Sequence, residues 1–253
     1  MSIKRQLRNF GKDQTHRYFE TQSAAVALCR DLIDSENMDF KPQGEGEWVV
    51  TESHAHFKRL RIEAEEWSAY TPIKTNTVSQ QEFANIGYDA AYQHGAMLIN
   101  SPHVYVYYRL LPDNRLMICG RGDNIGHPDG AHKTVAGIHG KFAQLWPEWS
   151  HVEFEYSWRG LICFNQNFTP AVSQLPGDDS VFLGYGYHGN GVATATWSGK
   201  TLANWIATEK VPDSTALPAI YRGRSPRFFI PKLRKVYGRI GLEYYLTLDK
   251  LFK

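Results

Sequence analysis

The sequence predicts an α+β protein in which an antiparallel or mixed sheet is flanked by helices. Helical spacing of apolar residues dominates the beginning and the end of the 253-residue chain. Runs of β-branched and aromatic residues cluster in the centre, and turn residues separate them. Because these runs occur as hairpins rather than in regular β-α-β alternation, we expect the strands to pair mainly in an antiparallel manner.

Composition sets the broad class of the protein. Hydrophobic residues make up 42% of the chain, charged residues 21%, and the net charge of +2 is too small to predict a nucleic-acid partner. The three cysteines lie far apart without C-x-x-C spacing, so neither disulfides nor a cysteine zinc site is expected. The start of the chain lacks the apolar core of a signal peptide, and no apolar run could form a transmembrane segment. We therefore expect a cytoplasmic protein.

Helices and one strand are predicted in the first third. Apolar residues from Leu7 to Ile33 follow helical spacing, and the helix is expected to end near residues 34–37. Three further elements are predicted: a turn and short strand at GEGEWVV (44–50), a charged amphipathic helix over 56–70, and a short helix from Ser79 through Phe83. Phe57, Leu60 and Trp67 are the expected inner face of the helix over 56–70.

The remaining residues alternate between strands and helices. VYVYYRL (104–110) and RLMICG (115–120), separated by Leu-Pro-Asp-Asn, predict a hairpin. The other predicted elements are a helix over 129–145 ended by Pro147, strands at 151–158, 160–165 and 180–186, a helix from 192 to about 207, and a helix over 231–252.

Gly184, Gly186 and Gly189 form the pattern G-x-G-x-x-G between a predicted strand and a predicted helix. A dinucleotide-binding unit also needs a second parallel strand after that helix, ending in an acidic residue. Glu209 lies at a suitable distance, but residues 208–218 are polar and interrupted by prolines. The sequence therefore argues against a pyrophosphate site here.

Two interpretations of the glycines stay open. Gly189 and Gly191 allow close approach to the backbone, and the first N–H groups of the following helix favour an anion or a negatively polarised ring. A glycine-rich tight turn that binds nothing explains the same residues equally well.

A family resemblance rests on the order of several short motifs. In the second half these are YYRLLPDNRLMICGRGD (107–123), LWPEW (145–149), FEYSWRGLICF (154–164), TPAV (169–172) and GYHGNGV (186–192). In the first half they are LRNFGKDQT (7–15), GEGEWVV (44–50) and YQHGAML (92–98). This succession resembles the D-amino-acid-oxidase-like FAD-dependent oxidoreductases, and the γ-glutamylputrescine oxidoreductase branch most closely. Asn190 stands where the family's glycine loop usually has histidine.

The resemblance implies a flavin site and a reaction. The loop would lie under the pyrimidine edge of the flavin of FAD, through Gly186, Tyr187, His188, Gly189, Asn190, Gly191 and Val192. The reaction would be hydride transfer from the C–N bond of a small-molecule amine, either a γ-glutamyl-polyamine or a small amino acid. A solvent-facing position in the loop explains His188 equally well.

Candidate substrate-pocket residues come from the same resemblance. Tyr107, Tyr108 and Trp158 would form an aromatic wall, and Arg109 would bind a substrate carboxylate. Ordinary sheet packing for the aromatic residues, and a surface position for Arg109, are the alternatives. Cys163 lies near the position at which some sarcosine-oxidase relatives attach flavin covalently; a plain core thiol is the alternative.

The resemblance also implies that parts of the family's architecture are missing. Neither the N-terminal β-α-β unit that binds the ADP half of FAD nor a central FAD-domain segment after residues 98–103 is found. We expect a cap or substrate-type domain over 1–191 and C-terminal helices, the remnant of an FAD-binding domain, over 192–253. The chain would then be a truncated gene product, or one piece of a split enzyme in which a separate chain supplies the missing FAD-binding half. The alternative is a non-catalytic remnant or binding module that does not hold FAD by itself.

Two further patterns concern the histidines and the basic residues near the C-terminus. The ten histidines include the pairs His54/His56 and His132/His139, but no cysteine or carboxylate stands at ligand spacing, so no metal site is expected. Residues 222–239 hold seven Arg or Lys and no acid, with aromatic residues among them. This basic tail is compatible with anionic lipid or nucleic acid, or with a solvated helix face.

Overall fold

The computed structural model describes residues 3–40, 44, 46–51, 53–79, 81–82, 96–100, 106–122, 130–226 and 228–251. The helices are α1 (Ile3–Ser35), α2 (His54–Tyr70), α3 (Ala131–Leu145), α4 (Gly191–Thr208) and α5 (Arg234–Leu251). The strands are β1 (Glu47–Val50), β2 (Met97–Asn100), β3 (Val106–Leu110), β4 (Leu116–Gly120), β5 (Ala171–Leu175) and β6 (Asp178–Tyr185). The predicted α+β class is confirmed.

The chain divides into two compact units. Unit 1 consists of Met1–Phe40, Glu63–Asn76 and Ile162–Phe229, and unit 2 of Lys41–Ile62, Thr77–Leu161 and Ile230–Lys253. The division at residue 191 into a cap-type domain and a C-terminal part stays a prediction.

Unit 1 is built on the packing of α1 against α4 and on the antiparallel hairpin β5–β6. Val172, Leu217 and Tyr221 form its buried core. The partly buried rings of Tyr18 and Trp197 pack against that core. Because β5 also forms a parallel bridge from Val172 to Arg222, the residues after α4 are tied to the hairpin. This arrangement fixes where α4 begins.

Unit 2 contains a four-stranded mixed sheet in the order β1-β2-β3-β4. β1 pairs with β2 in parallel, and the other neighbours are antiparallel. The predicted strand at 47–50 and the predicted hairpin are confirmed, whereas β2 and, in unit 1, β5 were not predicted. Leu98 of β2 and Tyr108 of β3 are register partners and both are buried, so one face of the sheet carries the core of this unit.

The predicted strands at 151–158 and 160–165 are wrong, because residues 151–165 form no regular secondary structure. A strand needs a neighbour for its backbone hydrogen bonds, and none of the described strands pairs with this segment. Side chains hold it instead. The Phe154 ring stacks on His139 with centroids 3.7 Å apart, and Arg115 lies 5.6 Å from the centre of the Tyr156 ring.

Helix positions were predicted better than helix faces. α2 begins at His54, two residues before its predicted start, and its one buried side chain among the described residues is His56. Phe57 and Leu60 are only half-buried and Trp67 is 38% exposed, so the predicted inner face is wrong in part. The short helix predicted from Ser79 to Phe83 lies partly outside the described residues.

Candidate functional site

The glycine-rich loop at residues 186–192 connects β6 to α4 within unit 1. The chain turns sharply here, since Gly186, His188 and Gly189 have φ angles of 76°, 53° and 101°. Such angles are unfavourable for residues with a Cβ atom, so His188 is an unusual occupant. The fold therefore places a tightly turned loop directly before the N-terminus of a long helix.

Packing explains Gly186, the first glycine of the loop, and Gly184 in the preceding strand β6. A Cβ atom at position 186 would lie 2.5 Å from Nδ2 of Asn165, and one at position 184 would lie 2.8 Å from the hydroxyl of Tyr187. Residues 209–220, after α4, contain no strand. The second strand that a dinucleotide unit requires is thus absent from this described segment, as predicted.

His188 links the loop to an aromatic segment just before β5. Its Nε2 atom lies 3.2 Å from Oδ1 of Asn165, and its ring centroid lies 5.3 Å from Phe164 and 5.6 Å from Phe168. Burial lowers the pKa of His188, because the partly desolvated ring holds a proton less well. A neutral imidazole beside two half-exposed phenyl rings forms a largely apolar surface, in which the rings are tilted by 31–57° relative to one another.

The N-terminus of α4 is open. Asn190 occupies the N-cap position but its side chain makes no capping hydrogen bond. No atom lies within 4 Å of where a Cβ atom would stand at Gly189 or Gly191, and Val192 is 85% exposed. The first N–H groups of the helix and its positive dipole end therefore face accessible space, where an anion or an electron-rich ring edge would be stabilised.

Several residues of this site were missed from the sequence. Asn165 is buried; its Nδ2 donates to the carbonyl of Thr169 at 2.6 Å and so fixes the aromatic segment beside the loop. Cys29 of α1 lies 3.6 Å from the carbonyl of Val192. Neither residue belongs to a motif, and only the fold brings them within reach of residues 186–192.

The predicted substrate-pocket residues lie in unit 2, and the structure does not bring them all together. Tyr108 is buried, and its ring packs edge-on against Trp146 with centroids 4.9 Å apart. Tyr107 and Arg109, its neighbours on β3, point to the opposite face of the sheet. Trp158 is 74% exposed. The packing alternative therefore describes Tyr108, whereas Tyr107 and Arg109 share a face.

The face that carries Tyr107 and Arg109 has polar features of its own. Cys119 of β4 donates its S–H to the Tyr107 hydroxyl, with 2.7 Å between the heavy atoms. Nε of Arg109 is buried and makes no hydrogen bond with the described residues. A buried guanidinium N–H without a partner is costly, so this atom is suited to an acceptor oxygen of a ligand.

Cys163 is exposed, so the core interpretation of this thiol, which the sequence favoured over covalent flavin attachment, is wrong. The described residues contain no group of three or more His, Cys, Asp or Glu that could hold a metal ion. Among these same residues, no helix is both long and apolar enough to cross a membrane.

In this α+β fold, an open helix N-terminus lies beside aromatic rings. A site of this class suits a flavin or another electron-rich ring. Comparison with protein families identifies the class. Residues 71–205, which make up more than half of the chain, match the FAD dependent oxidoreductase (DAO) family. The chain belongs to this family. The matched residues include the whole loop at 186–192 and all of the predicted pocket residues.

One curated relative is "Probable oxidoreductase OrdL" from Haemophilus influenzae. It is 24% identical over 184 residues, which is 71% of this chain and 39% of the relative. The chain thus matches about two fifths of the length of that protein. No solved structure matches the chain significantly.

Proposed function

We propose that this chain takes part in the FAD-dependent oxidation of a C–N bond in an amine or amino acid. The open loop before α4 carries the proposal, since it lies within the residues that match the family. The substrate class is a γ-glutamyl-polyamine or a small amino acid, in keeping with the resemblance to the γ-glutamylputrescine oxidoreductases. The cytoplasm is the proposed location.

The residues of the loop fit a flavin ring. Apart from the adjoining residues of the loop and helix, no atom lies within 4 Å of a Cβ position at Gly189 or Gly191, and the rings of Phe164 and Phe168 are about half-exposed beside His188. Residues 186–192 would hold the pyrimidine edge of the flavin, with the α4 N–H groups donating to it. FAD, when bound, supplies the acceptor for the hydride. The chain's own part is to orient that ring edge and to stabilise negative charge there without reorganisation.

The substrate side of the proposal rests on Arg109. A γ-glutamyl group or an amino acid carries a carboxylate, which a guanidinium binds in bidentate fashion. The buried Nε of Arg109 has no partner among the described residues, and Tyr107 projects from the same face of β3. Arg109 would bind the carboxylate, while Tyr107, on the same face of β3, and Trp158 would contribute apolar surface to the pocket.

We propose that a separate chain supplies the residues that bind the ADP half of FAD. Much of the affinity for FAD comes from its pyrophosphate and ribose contacts. The G-x-G-x-x-G pattern of this sequence is explained by packing around Gly184 and Gly186. The two halves together would form the complete enzyme.

A second candidate function is a non-catalytic binding module of the same fold. Its specific support is that Tyr108 and Arg109 point to opposite faces of the sheet, so that one pocket within unit 2 cannot receive both side chains. Such a module would keep the fold and bind a protein or small ligand without holding FAD by itself.

The loop is tested by placing a negative charge at the helix start. Gly191→Asp adds a side chain where no atom lies within 4 Å, and a carboxylate there favours the helix dipole. The protein should therefore stay folded while the charge repels an electron-rich flavin edge. Gly191→Asn is the matched neutral control.

The measurement is the change in visible absorption and fluorescence when FAD or riboflavin is added to the purified chain, alone and with its candidate partner. Turnover of γ-glutamyl-polyamines and amino acids is assayed in parallel. We expect Gly191→Asp to weaken flavin binding at least about tenfold relative to Gly191→Asn. Equal flavin binding by the two variants would contradict the proposed loop. Flavin binding without any amine oxidation would favour the second candidate function.

A further inference from the structure

The basic C-terminal helix α5 presents an exposed apolar stripe that the proposed oxidoreductase function does not use. Four apolar or aromatic side chains follow one another at helical spacing: Leu233, Val236, Ile240 and Tyr244. Their exposed fractions are 40%, 49%, 62% and 59%. A helix face with this periodicity is normally buried in the core of its own protein. Here it lies open to its surroundings.

Positive charge runs beside this apolar stripe. Lys235 and Arg239 are both exposed and stand four residues apart, so they form a row along the helix next to Val236 and Ile240. Lys232 adds a third exposed cation in the turn before the helix. Residues 222–239 contain no acidic residue, and the row ends at the exposed Glu243, one turn after Arg239, so that Lys232, Lys235 and Arg239 outnumber the single acid.

We propose that α5 is an interfacial helix that binds the surface of an anionic membrane. In that position the apolar stripe enters the boundary between headgroups and acyl chains, and the basic row contacts lipid phosphates or carboxylates. Tyr244 suits this depth because its ring is apolar and its hydroxyl is polar. The helix lies on the membrane and does not cross it.

The pattern favours lipid over the two other occupants of such a surface. Nucleic acid would use the cations but has no use for aliphatic side chains such as Val236 and Ile240 along the contact. A second copy of the chain, joined stripe to stripe, would bring two rows of Lys235 and Arg239 together and repel itself. An anionic bilayer offers apolar acyl chains to the apolar stripe and negative charge to the basic row.

The test uses the full chain and two matched pairs of variants. Ile240→Asp is compared with Ile62→Asp on α2, where the isoleucine is 54% exposed. The double variant Lys235→Glu/Arg239→Glu is compared with Lys58→Glu/Arg61→Glu, which makes the same charge change at exposed positions of α2. Far-UV circular dichroism checks that every variant keeps its helices.

Binding is measured by co-sedimentation with extruded vesicles of phosphatidylcholine, with or without about one-third phosphatidylserine. We expect binding only to the anionic vesicles, and weaker binding as salt rises from about 0.1 M to 0.5 M. Ile240→Asp should lower partitioning at least about tenfold, and the α5 charge reversal about 25-fold or more, at about fivefold for each cation. The α2 variants should bind like the parent chain. Hydrogen exchange should slow in residues 234–251 on vesicle binding.

Three results would overturn the proposal. One is the absence of sedimentation with anionic vesicles, or an equal loss of binding in the α2 controls. Another is retention of duplex DNA or RNA that Ile240→Asp leaves unchanged, which would assign the cations to nucleic acid. The third is a dimer that Ile240→Asp converts to monomer, which would assign the stripe to a second copy of this chain. Each leaves the flavin loop of unit 1 untouched, because none of these substitutions lies in it.

Discussion

The side-chain amide of Asn165 occupies the space that a Cβ atom at position 186 would need. Its Nδ2 atom lies 2.5 Å from that position, and the same atom donates a hydrogen bond of 2.6 Å to the carbonyl of Thr169. Gly186 also has a φ angle of 76°, which favours glycine. Two independent constraints therefore act on one residue, and together they hold the turn before α4.

Gly186→Ala should lower the free energy of unfolding by about 2–4 kcal/mol. Part of this cost is the positive φ, at about 1–2 kcal/mol, and the rest is displacement of the buried Asn165 amide from its partner. Urea denaturation of the parent and variant chains measures the difference.

Other glycines of the loop supply the controls for that measurement. Gly189 has a φ angle of 101° but open space around it, so Gly189→Ala should cost about 1–2 kcal/mol. Gly191 begins α4 with a negative φ and open space, so Gly191→Ala should change stability by less than about 0.5 kcal/mol. Equal costs at all three positions would show that the clash with Asn165 does not determine stability.

His188 should make the folded chain less stable as the pH falls below about 6.5. Burial lowers its pKa in the folded state from the usual value of 6.5, so the unfolded chain takes up the proton first. Stability is fully present above pH 6.5, and part of it is lost as the pH falls from there through the lowered folded-state pKa.

The pH dependence of His188 is measured by urea denaturation between about pH 5 and 8, with an NMR titration of the imidazole. His188→Gln should flatten the slope, whereas His132→Gln, at an exposed position on α3, should leave it as in the parent chain. A titration midpoint of His188 at or above 6.5 would contradict the burial argument.

Two buried tyrosines should make unit 1 sensitive to alkali. Burial raises the pKa of Tyr18 to about 12 and raises that of Tyr221 still further, and their rings stack with centroids 5.3 Å apart. Because the unfolded phenols ionise near pH 10, stability is present below that pH and is lost as pH rises toward the folded-state values. Each tyrosine should contribute at most about 1.4 kcal/mol per pH unit.

Tyr18→Phe separates this alkaline effect from packing. The ring remains, so stability at pH 7 should change by less than about 1 kcal/mol. Between about pH 10 and 11.5 the variant should lose stability more slowly than the parent chain, since one ionising phenol has gone. Parallel curves for the two proteins in urea denaturation would argue against a raised pKa at Tyr18.

The sequence predicted the elements of this fold better than it predicted their surroundings. Helical spacing located α1, α3, α4 and α5, and turn residues located the β3–β4 hairpin, because both signals are local. The segment 151–165 is also rich in aromatic and β-branched residues. Strand formation depends on a neighbouring strand, however, and a local pattern does not reveal whether one is present.

The candidate site shows the same difference between local patterns, which the sequence reveals, and tertiary neighbours, which it does not. The glycines at 186–191 are visible as a motif and predict a turn before a helix. Asn165, Phe164 and Phe168 were missed, because they approach the loop only through the β5–β6 hairpin, of which β5 was not predicted. Alternation along β3 could have separated Tyr108 from Arg109 before the structure was known, since adjacent strand residues face opposite sides.

Removal of the aromatic ring should destabilise the folded protein at Tyr108 but not at Trp158. Tyr108 is 8% exposed and packs against Trp146, so Tyr108→Ala should lower the free energy of unfolding by about 3–5 kcal/mol. Trp158 is mostly exposed, so Trp158→Ala should change stability by less than about 0.5 kcal/mol. If Trp158 forms part of the substrate pocket, Trp158→Ala will raise the KM for the amine in the assembled enzyme and leave stability unchanged. Urea denaturation and steady-state kinetics on the same preparations separate the two effects. A stability loss at Trp158 as large as that at Tyr108 would show that the ring is needed for folding rather than for the pocket.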